Sequence, residues 1–271
     1  MMEENNIFRH NWDKFFKNGK TVILPIDHGT VIPVPELNNP GQLIENVSPF
    51  VDGFVVNFGL ARAFSEQLEG KGICFRTDVY KPSFKSNPDH GSYRSYTAED
   101  ALSVGSNAVM NMCYTNHQSE DRIYRECASL VSECIDLELP VIIESLPFGI
   151  GKPNDYTLEN ISFAVRMAAE LGADVIKTAF PIDASINDFR KIIDSSFVPV
   201  VVLGGAAMGD DKALLKMVKM SMDSGSSGIA VGRNVWQHEN PTLMAKSLHA
   251  IVHDDASLDQ ALGILEEPKG K

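Results

Sequence analysis

Eight short apolar runs punctuate the chain, at residues 21–26, 53–57, 72–75, 107–112, 140–144, 173–178, 198–203 and 228–231. Most are continuous rather than alternating, the pattern expected of strands covered on both faces. Amphipathic stretches separate them, clearest at residues 158–171, 212–224 and 242–252. In the first of these, Ile161, Val165, Ala168 and Leu171 fall at helical spacing. Strands alternating with helices or long loops predict an all-parallel sheet. A closed (β/α)₈ barrel uses eight strands and ~250 residues as one domain. An open doubly wound sheet places its glycine-rich turn after the first strand. Here the first run ends Pro25-Ile26-Asp27-His28-Gly29, and the glycine pairs follow the seventh and eighth runs instead. The reading is therefore α/β, a single (β/α)₈ TIM barrel over residues 1–271. It has a short N-terminal extension (1–19) and a C-terminal helix and tail (254–271).

Lys plus Arg number 24 against 36 Asp plus Glu, a formal charge of −12. That excess opposes general binding to nucleic acid or to an anionic membrane surface, yet leaves room for a local cationic pocket. The first 20 residues are polar and no stretch reaches ~18 uninterrupted apolar residues, so a cytoplasmic protein is expected. Cys74, Cys113, Cys127 and Cys134 form no CxxC pair and read as free buried thiols rather than a disulfide or zinc framework. Residues 75–97 form the longest loop, polar and containing Pro82, Pro88 and Gly91. In a barrel it lies on the catalytic face, where it is either a lid or a plain excursion.

Barrel strands point their C-termini at the active site. The residues that end the runs are Asp27 with His28, Asn57, Arg76, Cys113, Glu144, Lys177, Gly204 with Gly205, and Gly232 with Arg233. Lys177 closes Ala173-Asp174-Val175-Ile176-Lys177, where a buried strand would finish apolar. A desolvated lysine sheds its proton more easily and can form a Schiff base with a ketone; the competing account is a head that snorkels or pairs with a carboxylate. Asp27 also ends an apolar strand, as a proton carrier or as the cap of the turn at Gly29. His28 would point to the other side if the strand continued. Gly204, Gly205, Gly232 and Arg233 follow the seventh and eighth strands, where barrels commonly bind phosphate. Met208, Met217, Met220 and Met222 fit helix packing, and Trp236 and His238 fit packing or an interface. No histidine base is legible around Cys113.

These stretches resemble the DeoC/FbaB group of Schiff-base aldolases, the archaeal-type class I fructose-bisphosphate aldolase branch. The resemblance rests on Ile26-Asp27-His28-Gly29, the segment Glu170 to Thr178, Val202-Leu203-Gly204-Gly205, Val231 to His238, and Ile251-Val252-His253. It implies a Schiff-base lysine at Lys177, an acidic residue at Asp27, and phosphate contacts at Gly204, Gly205, Gly232 and Arg233. It implies no metal and no organic cofactor, a small phosphorylated sugar or ketone as substrate, and a homo-oligomer, pentamers paired into decamers. One departure stands out. The group ends its fifth strand with an acid/base tyrosine, and Leu146 occupies that position here. Glu144, two residues earlier, faces the same way on a strand and is the candidate replacement.

A thiolase-like member that degrades a phosphorylated autoinducer derivative also lacks the tyrosine. It shares the Gly151-Lys152 segment and the terminal Val-His pattern. Another branch makes an amino-dideoxyheptulosonate precursor of aromatic amino acids. The expectation is a class I aldolase acting on a ketose phosphate such as fructose 1,6-bisphosphate. Those two chemistries, or a non-catalytic phosphosugar-binding barrel, remain open beside it.

Overall fold

The structure is a computed structural model that describes residues 6–32, 34–81, 91–150, 152–206 and 209–266. Its strands are β1 (Thr21–Pro25), β2 (Gly53–Val56), β3 (Gly72–Arg76), β4 (Asp78–Lys81), β5 (Gly91–Arg94), β6 (Ala108–Thr115), β7 (Val141–Pro147), β8 (Val175–Thr178), β9 (Val200–Leu203) and β10 (Gly228–Ala230). Eight of these close a parallel barrel in the order β1-β2-β3-β6-β7-β8-β9-β10, with β10 pairing back to β1. Each of the eight apolar runs is one barrel strand. The largest differences are at β6 and β7, which extend three residues beyond the apolar runs, to Thr115 and Pro147.

Helices α1 (Asn6–Phe15), α2 (Pro40–Val47), α3 (Phe58–Ala63), α4 (Ala98–Ser103), α5 (Glu120–Leu137), α6 (Leu158–Glu170), α7 (Ile186–Ser195), α8 (Asp211–Asp223), α9 (Arg233–Trp236), α10 (Pro241–His253) and α11 (Leu258–Leu265) complete the chain. Capping residues fix several starts. Thr157 and Ser185 accept from the backbone N–H three residues on, and Ser185 and Asp188 form a reciprocal capping box. None of these helices is long and apolar enough to cross a membrane.

Period-two alternation sorts the strand residues. Ile23, Val55, Cys74, Met110, Ile142, Val175, Val201 and Ala230 point inward and form one buried cluster. Their neighbours pack outward against the helices. The N-terminal extension is part of this core rather than an appendage. Phe15, at the end of α1, is 2% exposed and closes the base of the barrel. A Cβ on Gly53 or Gly72 would lie 2.5 or 2.7 Å from the Phe15 ring, so these two strand-starting glycines make room for it.

Residues just before three of the strands tie the same end together. Asp52 Oδ2 accepts from Val22 N at 2.8 Å, Asn107 Oδ1 from Ile73 N at 3.2 Å, and Asp174 Oδ2 from Val141 N at 2.8 Å. His253 of the Val-His motif lies 2.8 Å from Asp52 Oδ2, at the end of the barrel away from the strand C-termini. Its place is structural.

Residues 75–97 are not a featureless loop. Phe75 and Arg76 finish β3, and β4 and β5 pair antiparallel above it. Alternation again explains the ribbon: Asp78, Tyr80 and Ser92 are buried against the barrel mouth, whereas Tyr93 is exposed. Residues 82–90 lie outside the described residues, as do Gly151 and Met208.

Candidate active site

At the C-terminal mouth, three of the residues one pleat above the apolar layer are charged. Arg76 follows Cys74 by two positions, Glu144 follows Ile142, and Lys177 follows Val175. In the β7–β8 register Glu144 stands directly beside Lys177. The pairing brings Lys177 Nζ to 2.8 Å from Glu144 Oε1, with both residues about 4% exposed. Met110 Sδ lies beneath, 4.0 Å from the amine.

Arg76 organises the rest. It donates through Nε to Asp27 Oδ2 at 2.7 Å, through one terminal nitrogen to Glu144 Oε2 at 2.6 Å, and through the other to Asp78 Oδ1 at 3.4 Å. The Tyr80 ring lies under the guanidinium, 5.1 Å from ring centroid to the guanidinium carbon. Asp78 also accepts from Met112 N at 3.1 Å and from the Ser92 hydroxyl. Three buried carboxylates thus share two buried cations.

Burial raises the proton affinity of all three carboxyls, and the cations decide the outcome for each. At Glu144 burial opposes, but Lys177 and Arg76 together hold the carboxyl below its ordinary range. At Asp27 burial likewise opposes, and Arg76, helped by His28, holds it far below. Asp78 has the longer Arg76 contact as its one cation, and burial prevails over it and over the Ser92 and Met112 hydrogen bonds and pushes the carboxyl up. Burial and the surrounding carboxylates push the Tyr80 phenol well above its ordinary range.

The chain leaves β1 for a 3-10 turn at Asp27–Thr30 instead of continuing as a strand. His28 therefore does not turn away. Its ring lines the mouth, with Nδ1 3.4 Å from Asp27 Oδ1, and packs edge-on against Trp236. Trp236 is 3% exposed and donates through Nε1 to Pro25 O at 3.1 Å. Cys113 is buried within β6, where a thiol contact with Cys127, then burial, pushes its pKa well up. All four cysteines are buried and free.

A cavity of about 250 Å³ opens above Lys177. Glu144, Lys177, Gly204, Gly205, Gly232 and Arg233 all face it. Asp27 is fully buried behind Arg76. On the β9–β10 side, Asn234 Nδ2 donates to Gly204 O at 3.0 Å and to Ala206 O at 3.1 Å, tying the two loops together. Gly205 has φ +69°, and a Cβ at Gly232 would lie 2.6 Å from Pro25 O. The Arg233 Nε is buried with no hydrogen-bond partner. Leu146, Ile150, Tyr156, Val31 and Ile32 give the rest of the lining its apolar character, with His28 and Tyr80 also facing the cavity.

A parallel eight-stranded barrel with charged side chains gathered at its C-terminal mouth is the arrangement of a barrel enzyme. A family model described as DeoC/LacD family aldolase matches residues 21–238, and the chain belongs to that family. It is an aldehyde-lyase of the class I, metal-independent kind. The fructose-bisphosphate aldolase class 1 of Halobacterium salinarum is 32% identical over 256 residues, covering 91% of this chain and 95% of that protein. The 2-amino-3,7-dideoxy-D-threo-hept-6-ulosonate synthase 1 of Archaeoglobus fulgidus is 29% identical, covering 94% of each chain. Among solved structures, an archaeal fructose-1,6-bisphosphate aldolase with its catalytic lysine bound to the carbinolamine intermediate superposes with a TM-score of 0.79. It is 26% identical and covers 91% of this chain and 99% of that one.

Proposed function

We propose that the protein cleaves a phosphorylated ketose or hydroxyketone through a Schiff base on Lys177. The observation that carries this reading is the Lys177 amine at the cavity floor with the Glu144 carboxylate 2.8 Å away. Glu144, anionic at neutral pH, takes the proton that the ammonium must lose before it attacks the ketone carbon. Attack forms the C–N bond and an alkoxide; Glu144 returns its proton to the alkoxide and takes the second proton from the nitrogen, which leaves the neutral carbinolamine with a lone pair on nitrogen. Return of a proton from Glu144 to that hydroxyl lets water leave, and the nitrogen lone pair completes the iminium. Cleavage of the bond between the α and β carbons of the iminium sends its electron pair into the iminium and gives an enamine. The hydroxyl proton of the departing carbon passes to Glu144, left as a carboxylate by the dehydration, and the aldehyde leaves. Protonation of the enamine and hydrolysis return the amine. Asp27 acts at one remove, because it holds Arg76, and Arg76 holds Glu144.

The substrate phosphate is assigned to Gly204, Gly205, Gly232 and Arg233. Arg233 makes no ion pair among the described residues, and its orphaned Nε supports an anion there. An Arg–phosphate pair contributes ~1.5–3 kcal/mol, so Arg233→Ala should raise the Michaelis constant about tenfold or more. Inorganic phosphate should compete in the wild type; an unchanged Michaelis constant would remove Arg233 from the site.

Borohydride reduction with dihydroxyacetone phosphate tests the reading as a whole. One irreversible adduct should form, and peptide mapping should place it on Lys177; the absence of any adduct would overturn the Schiff-base route. Glu144→Gln should lose turnover by ~10²–10⁴-fold, the usual contribution of a positioned acid/base, while the adduct remains detectable. Brisk turnover in Glu144→Gln would mean that the proton moves by another route.

A further inference from the structure

Resting on that reading, we infer that the substrate carries one phosphate only, and that the fragment released as the aldehyde is uncharged. Every cation facing the cavity other than Arg233 is already committed. Arg76 is held by Asp27, Asp78 and Glu144, and Lys177 is held by Glu144. Among the described residues, Arg233 is the one guanidinium or ammonium at the cavity without a carboxylate partner. One uncommitted cation matches one phosphate.

The geometry then fixes where the two ends of the substrate go. A phosphate at the β9 and β10 loops, with the carbonyl at Lys177 on β8, leaves the next strand, β7, and the residues that follow it for the remainder of the molecule. The lining there is Leu146, Ile150 and Tyr156, with Val31 packed in the same apolar cluster, and no lysine or arginine among the described residues lies on it. Glu144, below its ordinary pKa and therefore anionic, stands at the junction between the two ends. A second phosphate would lie on apolar side chains, unpaired and facing a carboxylate, and an unpaired charge is costly where water is excluded. An uncharged hydroxyaldehyde or alkyl aldehyde fragment meets no such opposition. Leu146 thus acquires a role: it furnishes apolar surface for the departing fragment.

Fructose 1-phosphate and fructose 1,6-bisphosphate differ only in the second phosphate, and both carry the first beside the ketone. Each should be titrated against borohydride trapping of dihydroxyacetone phosphate on the full chain, at constant ionic strength. We expect the monophosphate to halve adduct formation at a concentration at least fivefold lower than the bisphosphate. A smaller ratio, or tighter binding of the bisphosphate, overturns the inference while leaving the Schiff base intact. Failure of dihydroxyacetone phosphate to form any adduct overturns the underlying reading, and this inference with it. Ile150→Arg, at the half-buried rim of the apolar wall, supplies the missing cation. It should shift the ratio toward the bisphosphate by several-fold, and an unmoved ratio would show that the wall does not set the discrimination.

Discussion

Lys177→Met is expected to lose turnover by ~10⁴-fold or more and to lose the borohydride adduct entirely. The variant keeps a straight apolar stem just above Met110, so the shape of the barrel interior is preserved. It does remove one of the two cations that hold Glu144. Arg76 remains at 2.6 Å, so the carboxylate is left under-compensated rather than isolated. The melting temperature should therefore fall, and the double variant Lys177→Met with Glu144→Gln should recover most of it. Activity should not return with the stability. That split separates a nucleophile from a residue that merely neutralises a buried charge. Turnover persisting in folded Lys177→Met would exclude imine chemistry at this position.

The barrel was legible in the sequence because a parallel sheet is covered on both faces, so its strands appear as uninterrupted apolar runs. Lys177 was legible for the same reason, as a charge where such a run should have ended apolar. The two-residue offset from Glu144 to Leu146 likewise followed from strand geometry alone. What could not be read was everything that depends on pairing across distance. The ribbon of β4 and β5 has four residues on each side and no apolar run, and its register is set by partners more than nine residues apart. Asp78 and Tyr80 therefore passed as loop residues. Arg76 was visible as a strand terminus, but its three carboxylate partners come from the turn after β1, from β4 and from β7, which no local pattern connects. Gly53 and Gly72 open two of the apolar runs, and nothing local marks what they leave room for. They are the space into which Phe15 fits, and the polar sequence around Phe15 concealed that it belongs to the core.

Arg76→Met should produce the largest loss of stability in the site, with a distinctive dependence on pH. Removing one partner from a buried ion pair typically costs about 3–5 kcal/mol, because the other charge remains buried. For a domain of this size that corresponds to a fall of about 10 °C in melting temperature at neutral pH. In the wild type, Asp27 and Glu144 are held below the ordinary carboxylate range. Their contribution is therefore present above the unfolded value of ~4 and is lost only as the pH falls through their lower folded values. Without Arg76, burial acts on Asp27 unopposed except by His28 and a distant Lys177, and its folded pKa rises above the unfolded one. A carboxyl raised in this way stabilises the fold when protonated and loses that contribution as the pH rises through its folded value. The difference in melting temperature between wild type and Arg76→Met should consequently narrow on going from pH 7 to pH 5. Arg76→Lys keeps one positive charge but not the planar fork that reaches three carboxylates, so it should recover only part of the loss. A deficit of the same size at both pH values would show that Arg76 contributes packing over Tyr80 rather than charge. In that case Glu144 would owe its place beside Lys177 to the β7–β8 register alone.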